Sequence, residues 1–166
     1  VRTMWDREIT ALFDGAGDFI RRPLQCGDFT LMTYAIDGLT SGGDISDFVF
    51  KPISQQLRGT TMQELYENAL SGGIYNSVAD PCPDPETAAK KLVNGFCVVL
   101  FPEVGAIAFE AKTSDKRSPA PPEVENTVKG AKDGFVETVR SNTSLIRRHL
   151  RSPKLRFSES TVGRRS

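Results

Sequence analysis

A run of six apolar residues, Phe96 to Phe101, constrains the fold more than any other feature of the sequence. Strands that are apolar on both faces lie in the interior of a sheet that is covered on both sides. The run is far shorter than the ~20 residues that span a bilayer. The segment from Pro102 to Gly105 follows as a turn, and Ala106 to Ala111 follows as a second strand. This hairpin excludes a purely parallel sheet.

Helical and extended segments surround the hairpin. Apolar alternation predicts strands at Phe29 to Ile36, Ile74 to Val78 and Leu155 to Val162, the last at a sheet edge. Helical spacing and capping residues predict five helices: a short one within Trp5 to Ile20, followed by a turn and closed by Arg21-Arg22-Pro23; one capped by Asp44 that Pro52 kinks or ends; one capped by Thr60 or Thr61; one capped by Asp84; and Gly134 to about Leu150. The order of elements indicates an α/β (α+β) domain, in which a mixed β-sheet of about five strands carries helices on its faces in a three-layer-like arrangement.

The longest predicted helix carries apolar side chains on one face and arginines on the others. Phe135, Val139, Ile146 and Leu150 recur at helical spacing, so this stripe is expected to pack on the sheet. Pro153 prevents the helix from continuing. The arginines are expected to lie on the remaining, outer faces of the helix.

The net charge is zero, but it is unevenly distributed. The segment from Val128 to Ser166 contains ten Lys or Arg residues but only three acidic residues. A basic C-terminal third can bind anionic lipid or nucleic acid, or it can be a solvated helix face and tail. Nucleic-acid sites interleave aromatic with basic residues, and this third offers only Phe135 and Phe157. Nucleic acid is therefore not expected as a partner.

Sequence signatures of catalysis and of cofactor binding are missing. Cys26, Cys82 and Cys97 have no C-x-x-C spacing, and His149 has no cysteine near it, which argues against a disulfide scaffold or a zinc site. The patterns of serine hydrolases, P-loops and dinucleotide-binding loops do not occur in a suitable context. The sequence predicts no enzyme, no metal and no cofactor.

Asp37-Gly38 follows the predicted strand that ends at Ile36. In open α/β sheets, ligands bind beyond the carboxyl ends of strands, so a small-molecule site near Asp37 is one interpretation. The other is an ordinary turn in which Asp37 is a cap.

The stretch from Asp133 to Arg148, D-G-F-V-E-T-V-R-S-N-T-S-L-I-R-R, is the most specific motif of the chain. It resembles the signature G-x-x-x-G-F-x-E-x-x-x-x-N-x-x-L-I-R-R of the GerA family of spore germination proteins. The matching positions are Gly130, Gly134, Phe135, Glu137, Asn142, Leu145, Ile146, Arg147 and Arg148. Upstream, Tyr34 to Leu39 resembles the family's Y-I-D-G-L pattern, and Lys51-Pro52 resembles its K-P-[IL] pattern. Downstream, Pro153 and Leu155 match the family's following strand, and Gly163-Arg164-Arg165-Ser166 matches its G-R-R-S pattern. The resemblance extends from about Asp18 onward.

The resemblance implies a piece of a germinant-receptor A-subunit or of the related stage V sporulation protein AF. Such proteins have two soluble α/β subdomains followed by membrane helices. Residues 1–166 would be the first subdomain, and the second subdomain and the membrane helices are expected beyond residue 166. The complete protein would lie in the spore inner membrane with this domain on the cytoplasmic (spore core) side. Its implied partners are the second subdomain, the receptor's B- and C-subunits and further copies of itself.

The function expected from the resemblance is a non-catalytic scaffold or signal-coupling module in spore germination. Two alternatives stay open: a small-molecule (nutrient) module with its ligand near Asp37, and anionic lipid binding by the basic C-terminal third. Arg147 and Arg148 either pair with acids of a neighbouring domain or subunit or tie the domain internally. The candidate interaction residues are those of the family motifs: Asp37, Gly38, Pro52, Gly134, Phe135, Glu137, Asn142, Arg147, Arg148, Gly163, Arg164 and Arg165.

Overall fold

The structure, a computed structural model, describes residues 4–40, 42–72, 78–110, 139–158 and 160. The elements in chain order are α1 (Met4–Leu12), β1 (Phe19–Cys26), β2 (Phe29–Ile36), α2 (Gly42–Ile45), a π-helical segment (Ser46–Phe50), α3 (Lys51–Gln55), α4 (Met62–Leu70), β3 (Ala79–Cys82), α5 (Pro85–Val93), β4 (Phe96–Phe101), β5 (Gly105–Glu110) and α6 (Val139–His149).

Five strands form one sheet in the order β1-β2-β4-β5-β3. β4 is the middle strand and all six of its residues are buried, as its apolar run predicted. The predicted strands at β2, β4 and β5 are confirmed, and so is the hairpin between β4 and β5. The fold class is confirmed, while the pairing is more uniform than the expected mixed sheet. All pairings among the described strands are antiparallel.

Helices cover both faces of the sheet, and β4 shows how its side chains are divided between them. Val98 and Leu100 belong to the core under α1 and α5. Val99 and Phe101 belong to the core under the helices from α2 to α4. Alternate residues of a strand point to opposite faces, so a strand that is apolar at every position requires two helical layers. This is the predicted three-layer arrangement.

Side-chain caps begin two of the helices, as predicted. Thr61 Oγ1 accepts a hydrogen bond from the Glu64 amide at 3.1 Å, and Glu64 accepts one from the Thr60 amide at 3.1 Å. Asp84 Oδ1 accepts one from the Thr87 amide at 2.6 Å. These contacts satisfy backbone N–H groups that a helix start leaves without an intrahelical partner.

The helical stretch around Pro52 begins earlier than predicted, and of the two effects predicted for Pro52 the helix shows an interruption rather than an end. It begins at Gly42, so Asp44 lies inside the first turn rather than at the cap. It also continues beyond Pro52 to Gln55. Proline lacks the N–H of the helical hydrogen-bond ladder and clashes with the preceding turn. The wider π-helical turn that immediately precedes α3 accommodates this interruption, so the proline neither ends the helix nor leaves the core.

The two edge strands escaped the sequence analysis because each contains a proline. The short helix predicted within Trp5 to Ile20 is observed as α1, and β1 with Pro23 lies where only the close of that segment was expected. Part of the expected Pro-rich loop is β3, which contains Pro81. Proline cannot donate to a central ladder, but an edge strand tolerates it. The predicted strand at Ile74 to Val78 lies mostly outside the described residues.

The edge strand predicted at Leu155 to Val162 is wrong over its described part. Residues 155–158 belong to no helix or strand and pair with no strand of the described sheet. They lie against the loop between α1 and β1 instead, where the Gly17 amide donates to the Phe157 carbonyl at 3.4 Å. The predicted long helix is observed as α6 from Val139 onward, and residues 134–138 lie outside the described residues.

All three cysteines are free and buried. Burial raises the pKa of the Cys97 thiol to about 12 and that of Cys82 to about 11, and it also raises that of Cys26. At pH 8 the folded protein should therefore contain almost no thiolate, which is the reactive form. We expect no reaction of the native protein with an aromatic disulfide reagent and reaction of three thiols after unfolding in guanidinium. Rapid labelling of any thiol in the native state would contradict the described packing.

Candidate functional site

The polar face of α6 is buried against the rest of the domain. Ser144 and Arg147 are the buried residues of its described part, and Arg147 has no exposed surface. Residues three apart lie on one side of a helix, so these two define the docked face. The predicted apolar stripe is therefore wrong at its end, because Leu150 is 57% exposed and Ile146 is only half-buried. Phe135 lies outside the described residues.

Arg147 forms a two-pronged ion pair with Asp18. Its Nε donates to Asp18 Oδ2 at 3.0 Å and its Nη2 donates to Oδ1 at 2.7 Å. The two side chains are 0% and 9% exposed. Parallel hydrogen bonds of this kind fix orientation as well as distance. The pair therefore holds α6 at a defined angle to the loop that precedes β1.

The same guanidinium organises the chain that leaves α6. Arg147 Nη1 donates to the carbonyls of Ser152 at 3.1 Å and Leu155 at 3.3 Å. Its guanidinium carbon lies 5.1 Å from the centre of the Phe157 ring, within the range of a cation–π contact. Arg156 donates to the carbonyls of Leu12 and Asp14. One buried arginine thus folds the segment after α6 back onto the loop after α1.

We call the group formed by Asp18, Gly38, Ser144 and Arg147 the α6 clasp. Its second contact is at the end of β2, where the Asp37 amide donates to the Asp18 carbonyl at 2.7 Å. Gly38 has a φ of +84°, and a Cβ there would lie 1.7 Å from Ser144 Oγ. Both the backbone angle and the approach of α6 therefore require glycine. Asp18 bonds β2 through its backbone and α6 through its side chain.

The structure brings several of the predicted motif residues together. Gly38 and Arg147 belong to the clasp, and Asp37 bonds to Asp18 through its backbone. Asn142 is half-buried on α6, Arg148 is exposed at its end, and Pro52 is buried in α3. Of the two alternatives for Arg147, the internal tie is the one observed. The remaining motif residues lie outside the described part: Gly134, Phe135, Glu137, Gly163, Arg164 and Arg165.

Sequence reasoning missed Asp18 and Ser144. Asp18 stood in the turn predicted after the first helix, and Ser144 was assigned no role. The available signal was spacing, because Ser144 lies one helical turn before Arg147 and therefore shares its face. For Asp18 the sequence carries no local signal, since its partner is 129 residues away.

A second polar cluster holds α1 to the sheet. The buried Asp6 carboxylate accepts hydrogen bonds from Arg21 Nε at 2.8 Å, from Arg21 Nη2 at 2.7 Å and from the Tyr34 hydroxyl at 2.6 Å. The hydrogen bond to Asp6 raises the pKa of Arg21, and burial raises that of Tyr34. Tyr34 therefore stays a neutral donor and Asp6 is saturated by its neighbours. This arrangement suits a structural tie better than proton transfer.

The described residues offer neither a metal-binding cluster nor a membrane-spanning helix. No three His, Cys, Asp or Glu side chains there come together in a way that could hold a metal ion. Over the same part of the chain, every helix is too short or too polar to cross a bilayer.

Comparison with known families and relatives gives one consistent result. The family described as Bacillus/Clostridium GerA spore germination protein matches residues 7–166. The chain is 27% identical over 146 residues to stage V sporulation protein AF of Bacillus subtilis, covering 87% of this chain and 29% of that protein. It is 29% identical over 135 residues to spore germination protein B1 of the same organism, with 79% and 27% covered. It is also 29% identical over 152 residues to spore germination protein GerLA of Bacillus cereus, with 89% and 30% covered. The chain thus spans less than a third of the length of these relatives.

The fold has a counterpart among solved structures. The N-terminal domain of the A subunit of the Bacillus megaterium spore germinant receptor GerK3 superposes with a TM-score of 0.66 at 14% sequence identity. The match covers 94% of this chain and 57% of that one. At this identity the comparison establishes the shared fold.

Proposed function

This chain belongs to the GerA family of spore germination proteins, and we propose that it is a non-catalytic scaffold and signal-coupling domain of a germinant-receptor A-subunit or of a stage V sporulation protein AF-like protein. It acts on the cytoplasmic (spore core) side of the spore inner membrane. Residues 1–166 form the first of two soluble subdomains, and membrane helices belong to the same protein. The second subdomain, the B- and C-subunits and further copies of the complete protein are its partners.

The α6 clasp is the observation that carries this function. It joins Arg147 to Asp18 across 129 residues of sequence through a buried, two-pronged ion pair. The chain leaving α6 is therefore fixed to the sheet and to the loop after α1. Packed, hydrogen-bonded junctions move as units rather than deforming continuously. A displacement applied to the segment after α6 is thus passed to the whole domain.

The interactions of the Asp18 and Arg147 side chains support a structural rather than a catalytic role. The Asp18 carboxylate and the Arg147 guanidinium are engaged with each other, and Arg147 also bonds two backbone carbonyls. A general base or acid needs access to the proton that it transfers. The motif residues of the clasp therefore hold elements together.

The contact above Gly38 also weighs against a ligand at the end of β2. Ser144 of α6 occupies the space directly over Gly38, whereas ligand sites at strand ends are open crevices. The nutrient-binding alternative needs such an opening beside Asp37. A scaffold or coupling role instead requires that the space at the end of β2 be filled by a packing contact.

The test is the substitution Arg147→Lys in the complete protein, in spores. Lysine keeps the charge but lacks the planar fork that binds a carboxylate at two points. We expect germination in response to nutrient to slow several-fold while the amount of the protein in spore membranes stays at the wild-type level. Thr61→Ala is the matched control, because it removes a helix cap at α4 and costs about 1 kcal/mol of stability without touching the clasp. Normal germination of the Arg147→Lys spores at equal abundance would refute the coupling role.

A further inference from the structure

The surface around the C-terminal end of α6 combines positive charge with an exposed leucine. Arg148, Arg151 and Lys154 are exposed there, and Leu150 between them is 57% exposed. We call these four residues the α6 basic surface. A single exposed leucine is ordinary on a protein surface, so it is the charge of this surface that indicates a partner.

The charge of the chain is divided between its two parts. Residues 139–166 hold eight Lys or Arg residues and one acid, whereas residues 1–138 hold thirteen Lys or Arg residues and twenty acids. Over 139–158 there are six Lys or Arg residues and no acid at all. An anionic surface therefore attracts residues 139–158 and repels the acidic remainder of the chain. That asymmetry selects one orientation of approach.

The described contacts of the Arg151 side chain do not neutralise its charge. Arg151 donates to neutral acceptors, the Asn94 side chain at 3.1 Å and the Arg148 carbonyl at 3.3 Å. The contact with Asn94 sets the surface beside the end of α5, whose last turn carries Lys90 and Lys91. Lys91 pairs with Asp80 at 2.9 Å and Lys90 lies 3.7 Å from Glu86, so the positive charge of the surface comes from the α6 side of this contact.

We propose that the α6 basic surface docks on the anionic headgroups of a lipid bilayer, with Leu150 entering the headgroup region. Each Lys or Arg near such a membrane strengthens binding about fivefold, and a leucine at the interface adds an apolar contribution. Single-stranded nucleic acid would need aromatic platforms beside the charges, and the nearby Phe157 is already stacked on Arg147. The surface lies outside the α6 clasp, so lipid docking and coupling can fail independently.

Vesicle sedimentation of the 166-residue protein tests this docking. Vesicles of phosphatidylglycerol and phosphatidylcholine in equal parts should bind the protein, and phosphatidylcholine alone should not. Binding should fall steeply as NaCl is raised, because exposed charges are screened. The pair Arg148→Glu and Arg151→Glu should weaken binding by about 25-fold or more, since two fivefold contributions are lost. Leu150→Ala should weaken it about two- to threefold.

The matched control reverses two charges on another part of the molecule. Lys51→Glu with Arg58→Glu changes the net charge by the same amount, on exposed residues of α3 and the loop after it. It should leave vesicle binding within about twofold of wild type, because these residues lie outside the basic surface. An equal loss in this control would show that only net charge matters and would overturn the assignment to α6. Equally strong binding to duplex DNA at the same phosphate concentration would overturn the assignment to lipid.

Discussion

Replacing Arg147 with alanine should lower the free energy of unfolding by about 3–5 kcal/mol, because it strands the buried carboxylate of Asp18 without its partner. The Arg147 side chain has no exposed surface, so water cannot take its place without opening the junction. The carbonyls of Ser152 and Leu155 lose a donor as well. A domain of this kind has about 5–15 kcal/mol of stability in total. Urea unfolding followed by circular dichroism at pH 7 measures the loss.

Two companion variants separate the ion pair from simple loss of a side chain. Arg148→Ala removes the neighbouring, exposed arginine and should cost no more than about 0.5 kcal/mol. The double substitution Arg147→Met with Asp18→Leu removes both charges and should recover most of the stability, because an apolar pair of similar size replaces a buried ion pair at little cost. If Arg147→Ala and Arg148→Ala proved equally mild, the clasp would not be a stabilising junction.

The centre of the fold was predictable because its signals are local. The apolar run of β4 and the turn after it specify a hairpin, and the caps at Thr61 and Asp84 mark helix starts within four residues of the groups they bond. β1 was not predictable in the same way. Pro23 usually ends an element, and only its place at the edge of the finished sheet makes it acceptable.

Two of the four clasp residues were predictable, but the geometry of the clasp was not. The family motif pointed to Gly38 and Arg147, yet the contact between α6 and β2 depends on the tertiary fold. Arginine is almost never fully buried unless it is paired, so the sequence alone favoured an outward Arg147 and an inward Leu150. In the structure Arg147 is buried and Leu150 is exposed, because Asp18 is positioned to neutralise the arginine. Helical periodicity carries no information about a partner that is 129 residues away in the sequence.

Substituting alanine for Gly38 should cost about 2–5 kcal/mol and loosen α6. A φ of +84° is unfavourable for any residue with a Cβ by about 1–2 kcal/mol. The new Cβ would also overlap Ser144 Oγ, which α6 holds 1.7 Å from that position, and such overpacking adds about 1–3 kcal/mol. Urea unfolding gives the total, and hydrogen exchange of the α6 amides reports the loosening.

Gly72→Ala isolates the backbone part of that cost. Gly72 has a φ of +93°, and an added Cβ would meet nothing within 4 Å. Its substitution should therefore cost about 1–2 kcal/mol and leave the exchange of the α6 amides unchanged. The difference between the two variants measures how firmly α6 sits on the end of β2. If both substitutions lowered the free energy of unfolding equally and left the α6 amides equally protected from exchange, Ser144 would have moved aside at no cost. Gly38 would then serve the turn rather than the clasp.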